Sequence, residues 1–257
     1  EIIKQFPKSL GEKKCSILKK QITQKTLSII AEKYIPVDKY SRLLINYKNI
    51  DNLFFTAYKI TQKQQIEFHK IYKFQDKKKF IQKLEKTHSW KHKLRNEEDY
   101  LQHNTEVIVP KFSNGNYLIF ASESGCLEEK LIYGTTTIQV TNLVLIENNF
   151  ENKYNYQIVD RNTGKPIKKA SILIKNSNKN RNNKTINKSL VTDKNGFASF
   201  KSKNNYNNVK IKVKTKDETA TFGDFYLYKN RNYSNNKNEN VIIKPFIFTD
   251  RSIYRPG

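Results

Sequence analysis

The sequence predicts a mainly β protein, built as tandem antiparallel β-sandwiches with a small helical insert in the first. Three observations carry this. Short runs rich in β-branched and aromatic residues recur along the chain, separated by Asn, Asp and Gly turn signals. The run Val209-Lys-Ile-Lys-Val-Lys214 alternates strictly, as a strand with one buried and one solvated face must. The stretch that combines capping chemistry with helical spacing is confined to residues between Thr61 and Leu84.

Residues 1–25 are basic and weakly patterned, the tail of an upstream segment with a short helix around Lys14–Lys20. The first sandwich is expected over 26–146. Thr26–Ile35 is a strand that stops at Pro36, Ser41–Lys48 a second and Leu53–Ile60 a third, with Asn49-Ile-Asp-Asn52 as a turn. The insert follows at about 61–87. Thr61 and Gln64 have the capping-box spacing, so the hydroxyl meets a free N–H while the amide reaches back. Ile66, Phe68, Ile71 and Tyr72 give an apolar face. Asp76 is the expected cap of a second helix carrying Phe80, Ile81 and Leu84. Thr87–Gln102 is polar and leads back to the sheet. Strands resume at Thr105–Pro110 and Phe112–Phe120, the latter with the turn signal Asn114-Gly115. Thr135–Ile146 is expected as one long strand with a slip in its alternation.

Glu147–Lys153 reads as a linker, and the second sandwich is expected over 147–245. Its strands are Tyr154–Asp160, Ala170–Lys175, Phe197–Phe200, Val209–Lys214 and Thr219–Tyr228. Arg161–Pro166 and Asp193–Gly196 are turns. Asn176–Lys188 and Arg231–Asn240 are polar loops. Val241–Thr249 opens a further strand, so 246–257 is the start of a third, truncated sandwich.

Composition agrees with several small sandwiches. A chain of 257 residues has room for two domains of about 100–150 residues each. Hydrophobic residues make up 37% and the mean hydropathy is −0.77, low for one thick core. The net charge is +24, from 48 Lys and Arg against 24 Asp and Glu. Such a balance points to nucleic acid, anionic membrane or acidic glycan. Here the charge is spread along the chain, and runs such as Asn176-Ser-Asn-Lys-Asn-Arg-Asn-Asn-Lys184 indicate compositional drift. The aromatics fall in the apolar phase of strands, and no nucleic-acid-binding motif occurs. Nucleic acid is therefore not an expected partner. No apolar run approaches the ~20 residues of a membrane span.

His88 and His92 have the spacing of a metal pair on a helix, but no third ligand lies at a fixed near spacing, and a polar surface is the favoured reading. Trp90 between them is a core anchor. Asp160 and Asp193 precede Gly-containing turns, where Asp caps its own backbone, which outweighs a calcium site or an acid–base pair. Cys15 and Cys126 form no CxxC pair and no metal spacing, and their separation gives no reason to expect a bridge. No GxSxG, HExxH, P-loop or GxGxxG is present. The expectation is therefore no catalysis, no cofactor and no metal. Sequons at Asn183, Asn187 and Asn232 arise by chance in so Asn-rich a chain.

The C-terminal run Thr249-Asp250-Arg251-Ser252-Ile253-Tyr254-Arg255-Pro256-Gly257 resembles the signature that opens a macroglobulin-like domain in the bacterial alpha-2-macroglobulin family. Two further layouts agree with it. Val159-Asp-Arg-Asn-Thr-Gly-Lys-Pro-Ile167 with Thr192-Asp-Lys-Asn-Gly-Phe197 resembles the domain before that signature. Tyr40–Ile50 and Asn116–Ser122 are similar to the preceding domain of the Bacteroidetes-type subfamily. The resemblance covers roughly residues 26–257 and implies immunoglobulin-like, macroglobulin-like sandwiches from the N-terminal half of a large broad-spectrum endopeptidase inhibitor. It assigns Thr249, Asp250, Arg251, Ile253, Tyr254, Arg255, Pro256 and Gly257 a structural role. It implies a location in the cell envelope, periplasmic, outer-membrane-anchored or secreted. Proteases would be partners of the whole protein, not of this region, and other envelope proteins are further partners. Cys126-Leu-Glu-Glu129 has Glu where the family's thioester requires Gln, so it is no thioester. The competing readings are an Ig-like adhesin, an envelope-assembly subunit, and a basic module for nucleic acid or anionic polymer.

Overall fold

The computed structural model describes residues 2–128, 132–150, 153–176, 185–202 and 204–228. The signature Thr249–Gly257, the strand expected from Val241 and the sequons at Asn183 and Asn232 lie outside them.

Two short helices come first, α1 (Ile2–Gln5) and α2 (Leu10–Thr23). Ser9 caps α2 by accepting from the Glu12 N–H at 3.0 Å. The helix is longer than expected and buries none of its residues. Its end is tied down by Asn49, whose side chain donates to the carbonyls of Ile22 and Gln24 at 3.0 and 3.1 Å.

The first sandwich has β1 (Thr26–Ala31), β2 (Tyr34–Ile35), β3 (Ser41–Lys48), β4 (Asn52–Ile60), β5 (Glu85–Lys93), β6 (His103–Val109), β7 (Gly115–Ser122) and β8 (Tyr133–Val140). One sheet runs β1-β3-β6 and the other β2-β8-β7-β4-β5. The strand expected over Thr26–Ile35 is thus two. Its first half pairs with β3, and its second crosses to the other sheet and runs parallel to β8. Leu43 and Ile45 of β3, Val107 and Val109 of β6, and Phe55, Ile119 and Val140 of the facing sheet fill one core. Period-two alternation places them there.

Between β4 and β5 stand α3 (Gln62–His69) and α4 (Phe74–Ile81). The capping box forms as expected: Thr61 Oγ1 accepts from the Gln64 N–H at 3.2 Å and the Thr61 N–H donates to Gln64 Oε1 at 2.8 Å. Asp76 lies in the first turn of α4, not at its cap, where Lys73 stands without a side-chain cap bond. Leu118 and Phe120 point to the outer face of β7 and meet Ile60, Phe68 and Ile81 in a separate small core. That is why β7 is apolar on both faces. Of the expected apolar face of α3 only Phe68 is buried, while Tyr72 is 88% exposed.

The polar stretch after the helices contains β5, which composition hid. Its alternation is real: His88, Trp90 and His92 take one side and Ser89, Lys91 and Lys93 the exposed other.

The second sandwich has β9 (Leu143–Phe150), β10 (Lys153–Asp160), β11 (Ser171–Asn176), β12 (Asn187–Val191), β13 (Phe197–Lys201), β14 (Tyr206–Lys214) and β15 (Thr219–Leu227). Sheets β13-β10-β9 and β12-β11-β14-β15 enclose a core of Tyr156, Ile158, Ile172, Ile174, Ile211 and Val213. The strand expected over Thr135–Ile146 breaks at Thr141–Asn142, and Leu143 already belongs to the second core. The expected linker Glu147–Lys153 is mostly strand, since β9 pairs with β10 from Leu143↔Asp160 to Phe150↔Lys153. Asn148 and Asn149 are exposed on both faces of β9 without interrupting its ladder.

Candidate functional site at the sandwich junction

The two sandwiches meet through polar contacts that join the end of β8, the Thr141–Asn142 crossover and the residues around β2 to the start of β15 and the turn after β10. Gln139, 7% exposed at the end of β8, bonds the backbone of Thr221 twice. Its Oε1 accepts from the Thr221 N–H at 2.9 Å and its Nε2 donates to the Thr221 carbonyl at 3.2 Å. Glu218 Oε2 accepts from the Thr141 hydroxyl and the Asn142 N–H, both at 3.0 Å. Asn142 Oδ1 then accepts from the Val37 N–H at 3.1 Å. A carboxylate that receives two donors at a chain crossover fixes its direction.

The turn after β10 grips the first sandwich from the other side. The Arg161 N–H donates to the Asn142 carbonyl at 2.7 Å, and the Arg161 guanidinium donates to the Tyr34 carbonyl at 3.2 Å. Lys39 Nζ donates to Asn162 at 2.5 Å. Asp160 shapes this turn as the sequence predicts: one oxygen accepts from the Thr163 hydroxyl, the Thr163 N–H and the Asn162 N–H at 2.8–3.0 Å. The Thr163 hydroxyl bond above all holds the Asp160 carboxyl below the usual carboxylate range. Asp193 works in the same way, accepting from the N–H groups of Asn195 and Phe197 at 2.9 Å. Among the described residues neither aspartate belongs to a group of His, Cys, Asp and Glu that could hold a metal.

Tyr34 crosses the junction bodily. Its ring lies 5.3 Å from that of Phe222, in the second core, and burial pushes its hydroxyl above the usual tyrosine range. Beside it Lys210 Nζ bonds Asp224 Oδ1 at 2.5 Å while Lys33 Nζ stands 3.9 Å from Asp224 Oδ2. The hydrogen bond from Lys210 keeps the Asp224 carboxyl low. A cleft of about 320 Å³ opens here, between α3 and strands β14 and β15, with Gln62, Gln65, Asn116 and Gln139 supplying amides. A second, of about 260 Å³, adjoins along Thr135–Thr137 beneath the end of α3.

The histidine pair falls elsewhere. His88 packs edge-on against Phe112 at 4.5 Å, and Trp90 stacks on Phe55 at 5.0 Å with the planes 6° apart. Trp90 is the anchor the sequence predicts. His88 and His92 are half-buried on its side of the strand, not at a polar surface, because a strand puts residues four apart on one face as a helix does. Among the described residues no group of His, Cys, Asp and Glu is placed to hold a metal. Cys15 and Cys126 are both free. Among the described residues no helix is long and apolar enough to cross a membrane.

The junction left little mark in the sequence. Gln139, Glu218 and Asn142 are ordinary polar residues in a chain full of them, and only the break at Thr141–Asn142, seen as a slip in alternation, marked the place.

No protein-family model and no curated protein matches this sequence. Solved structures match in fold. The crystal structure of native alpha-2-macroglobulin from Escherichia coli spanning domains MG0-NIE-MG1 is similar over 77% of this chain, at 12% identity and a TM-score of 0.55. The Escherichia coli fragment spanning NIE-MG1 is similar over 78%, at 11% identity and a TM-score of 0.54, and 97% of it is covered. A Salmonella alpha-2-macroglobulin mutant is similar over 77%, at 9% identity and a TM-score of 0.50. The chain covers 64% of the first structure and 12% of the Salmonella protein. The likeness is one of fold: tandem antiparallel sandwiches of the macroglobulin-like kind.

Proposed function

We propose that this chain is a non-catalytic scaffold region of a bacterial alpha-2-macroglobulin-type protease trap in the cell envelope. The observation that carries the reading is the fold likeness to an MG0-NIE-MG1 fragment over 77% of the chain, joined to the signature Thr249–Gly257 in the sequence. The polar junction supports it. Two sandwiches held by directed hydrogen bonds, rather than by a thick apolar seam, keep a fixed orientation and can still exchange partners when a neighbouring domain moves. We place the division between the two sandwiches at Thr141–Asn142, where membership of the core changes, and the start of a third, truncated sandwich at 246–257. Proteases are then partners of the whole protein, and the signature residues serve the fold of the domain they open.

The test is to purify the whole protein from its native host and challenge it with proteases of different specificity. The reading expects cleavage at one exposed segment, a more compact product, and protease that still cuts small substrates but not large ones. Protease that stays fully active on large protein substrates after cutting would sink the trap reading and leave a structural or adhesive module.

A further inference from the structure

Helix α2 is built inside out. A surface helix ordinarily packs its apolar stripe on the body of the protein and gives its polar side to water. In α2 the half-buried positions are Glu12, Cys15 and Ser16, and Ser16 Oγ donates to Glu12 Oε1 at 2.8 Å. At about 100° per residue, Leu10, Ile17, Leu18 and Ile22 share an arc of roughly 140°, with Glu12 and Ser16 on the opposite side. Those four apolar side chains, and Phe6 in the turn before the helix, are 40–69% exposed. The helix is 14 residues long and, among the described residues, buries none of its own. A helix of that length is marginal in water alone and is normally held by packing of its apolar face. Among the described residues its hydrogen bonds to the first sandwich lie at its C-terminal end, where Asn49 holds the Ile22 carbonyl and Lys48 Nζ donates to the Gln21 carbonyl at 3.1 Å. Lys48 ends β3, and β3 starts just after Val37 and Lys39, which contact Asn142 and Asn162 at the junction. The helix therefore stands at the pole of the first sandwich away from the second.

Charge specifies the occupant. Residues 2–25 hold seven lysines and one acid, Glu12. Lys13 and Lys20 border the apolar arc on one side and Lys19 on the other, and all three are exposed. Lys14 lies within the arc, where a lysine lays its alkyl stem along an apolar surface and keeps its ammonium in water. A second copy of this chain would set like charge against like charge. A polyanion with no apolar part would leave Leu10, Ile17 and Leu18 in water. A surface that is anionic outside and apolar beneath satisfies both sets of side chains. We propose that α2, with the turn before it, docks on an anionic phospholipid bilayer. The helix lies along the surface with Phe6, Leu10, Ile17, Leu18 and Ile22 among the outermost acyl chains and its lysines among the headgroups. The inference rests on the first 25 residues and stands or falls independently of the trap reading.

The test sediments the full chain with vesicles of phosphatidylcholine alone and of phosphatidylcholine mixed with phosphatidylglycerol. The proposal expects binding to the anionic vesicles that falls as salt is raised. Ile17→Gln combined with Leu18→Gln keeps helix propensity and removes two apolar side chains, and is expected to lower the partition by about tenfold or more. Lys212→Gln combined with Lys214→Gln removes two charges from an exposed strand face of the second sandwich, and is expected to leave the partition near that of the parent chain. Both double variants should keep the parent's thermal midpoint, because all four residues are exposed. Equal binding by the Ile17–Leu18 variant and the parent means attraction by net charge alone and overturns the proposal. A loss as large in the Lys212–Lys214 variant overturns it too. Absence of binding to the anionic vesicles at low salt overturns it as well, and leaves an acidic groove of another protein as the occupant.

Discussion

The side-chain amide of Gln139 pairs with the backbone of Thr221 as a neighbouring strand would, accepting from its N–H at 2.9 Å and donating to its carbonyl at 3.2 Å. A single buried side chain thereby adds one rung between β8 of the first sandwich and β15 of the second.

Gln139→Ala should leave both Thr221 groups unpaired and cost about 1–3 kcal/mol in urea denaturation. Gln139→Glu should cost at least as much, because a carboxylate accepts from the N–H but only opposes the carbonyl. An unchanged midpoint in both variants would show that the rung contributes nothing.

Two turn glycines separate strain from collision. Gly164 has φ +68° with nothing near a Cβ, whereas Gly196 has φ +75° and a Cβ there would lie 2.6 Å from the Ile158 carbonyl oxygen. Gly164→Ala is expected to cost about 1 kcal/mol from backbone conformation alone. Gly196→Ala should cost clearly more, because Ile158 sits in the second core and cannot retreat. Equal losses by calorimetry would contradict the geometry.

The insert should depend on one aromatic. Phe120 is 2% exposed and stacks on Tyr133 at 5.8 Å, under the helical hairpin. Phe120→Ala is expected to cost about 3–5 kcal/mol. It should also open cleavage sites in α3 and α4 to limited proteolysis before the sandwiches are cut.

Stability should fall at both ends of the pH scale. Asp160 has a folded value below its ordinary 3.8, so its contribution is complete above that value and is lost as pH falls through the lowered one. Asp160→Asn should flatten the acid limb of a urea-midpoint profile. Tyr47 and Tyr154 lie the other way. Burial raises both above 10.0, and their hydroxyls donate to the carbonyls of Arg95 at 2.6 Å and Tyr228 at 3.1 Å. Their contribution is complete below 10.0 and is lost as pH rises through the raised values. Tyr47→Phe should soften the alkaline limb.

Much of the fold was legible where one residue's neighbours in sequence decide its environment. The alternation of Val209, Ile211 and Val213 put them in a core, and each is fully buried. The capping box at Thr61 and Gln64 needed only a spacing of three. Asp160 and Asp193 shape their own turns. Strand β5 was not legible, because His88, Trp90 and His92 alternate with Ser and Lys, and composition alone calls that stretch polar. The junction was less legible still: Gln139 and Thr221 lie 82 positions apart.

The class of fold, the tight turns and most strands follow from local sequence, because period-two burial and turn chemistry act on the chain wherever it lies. Tertiary structure alone decided that the strand ending at Pro36 would change sheets and that Leu143 would leave the first core for the second. Those outcomes depend on which surfaces meet, and a polar side chain's partner is set by the packing of apolar faces far from it in sequence.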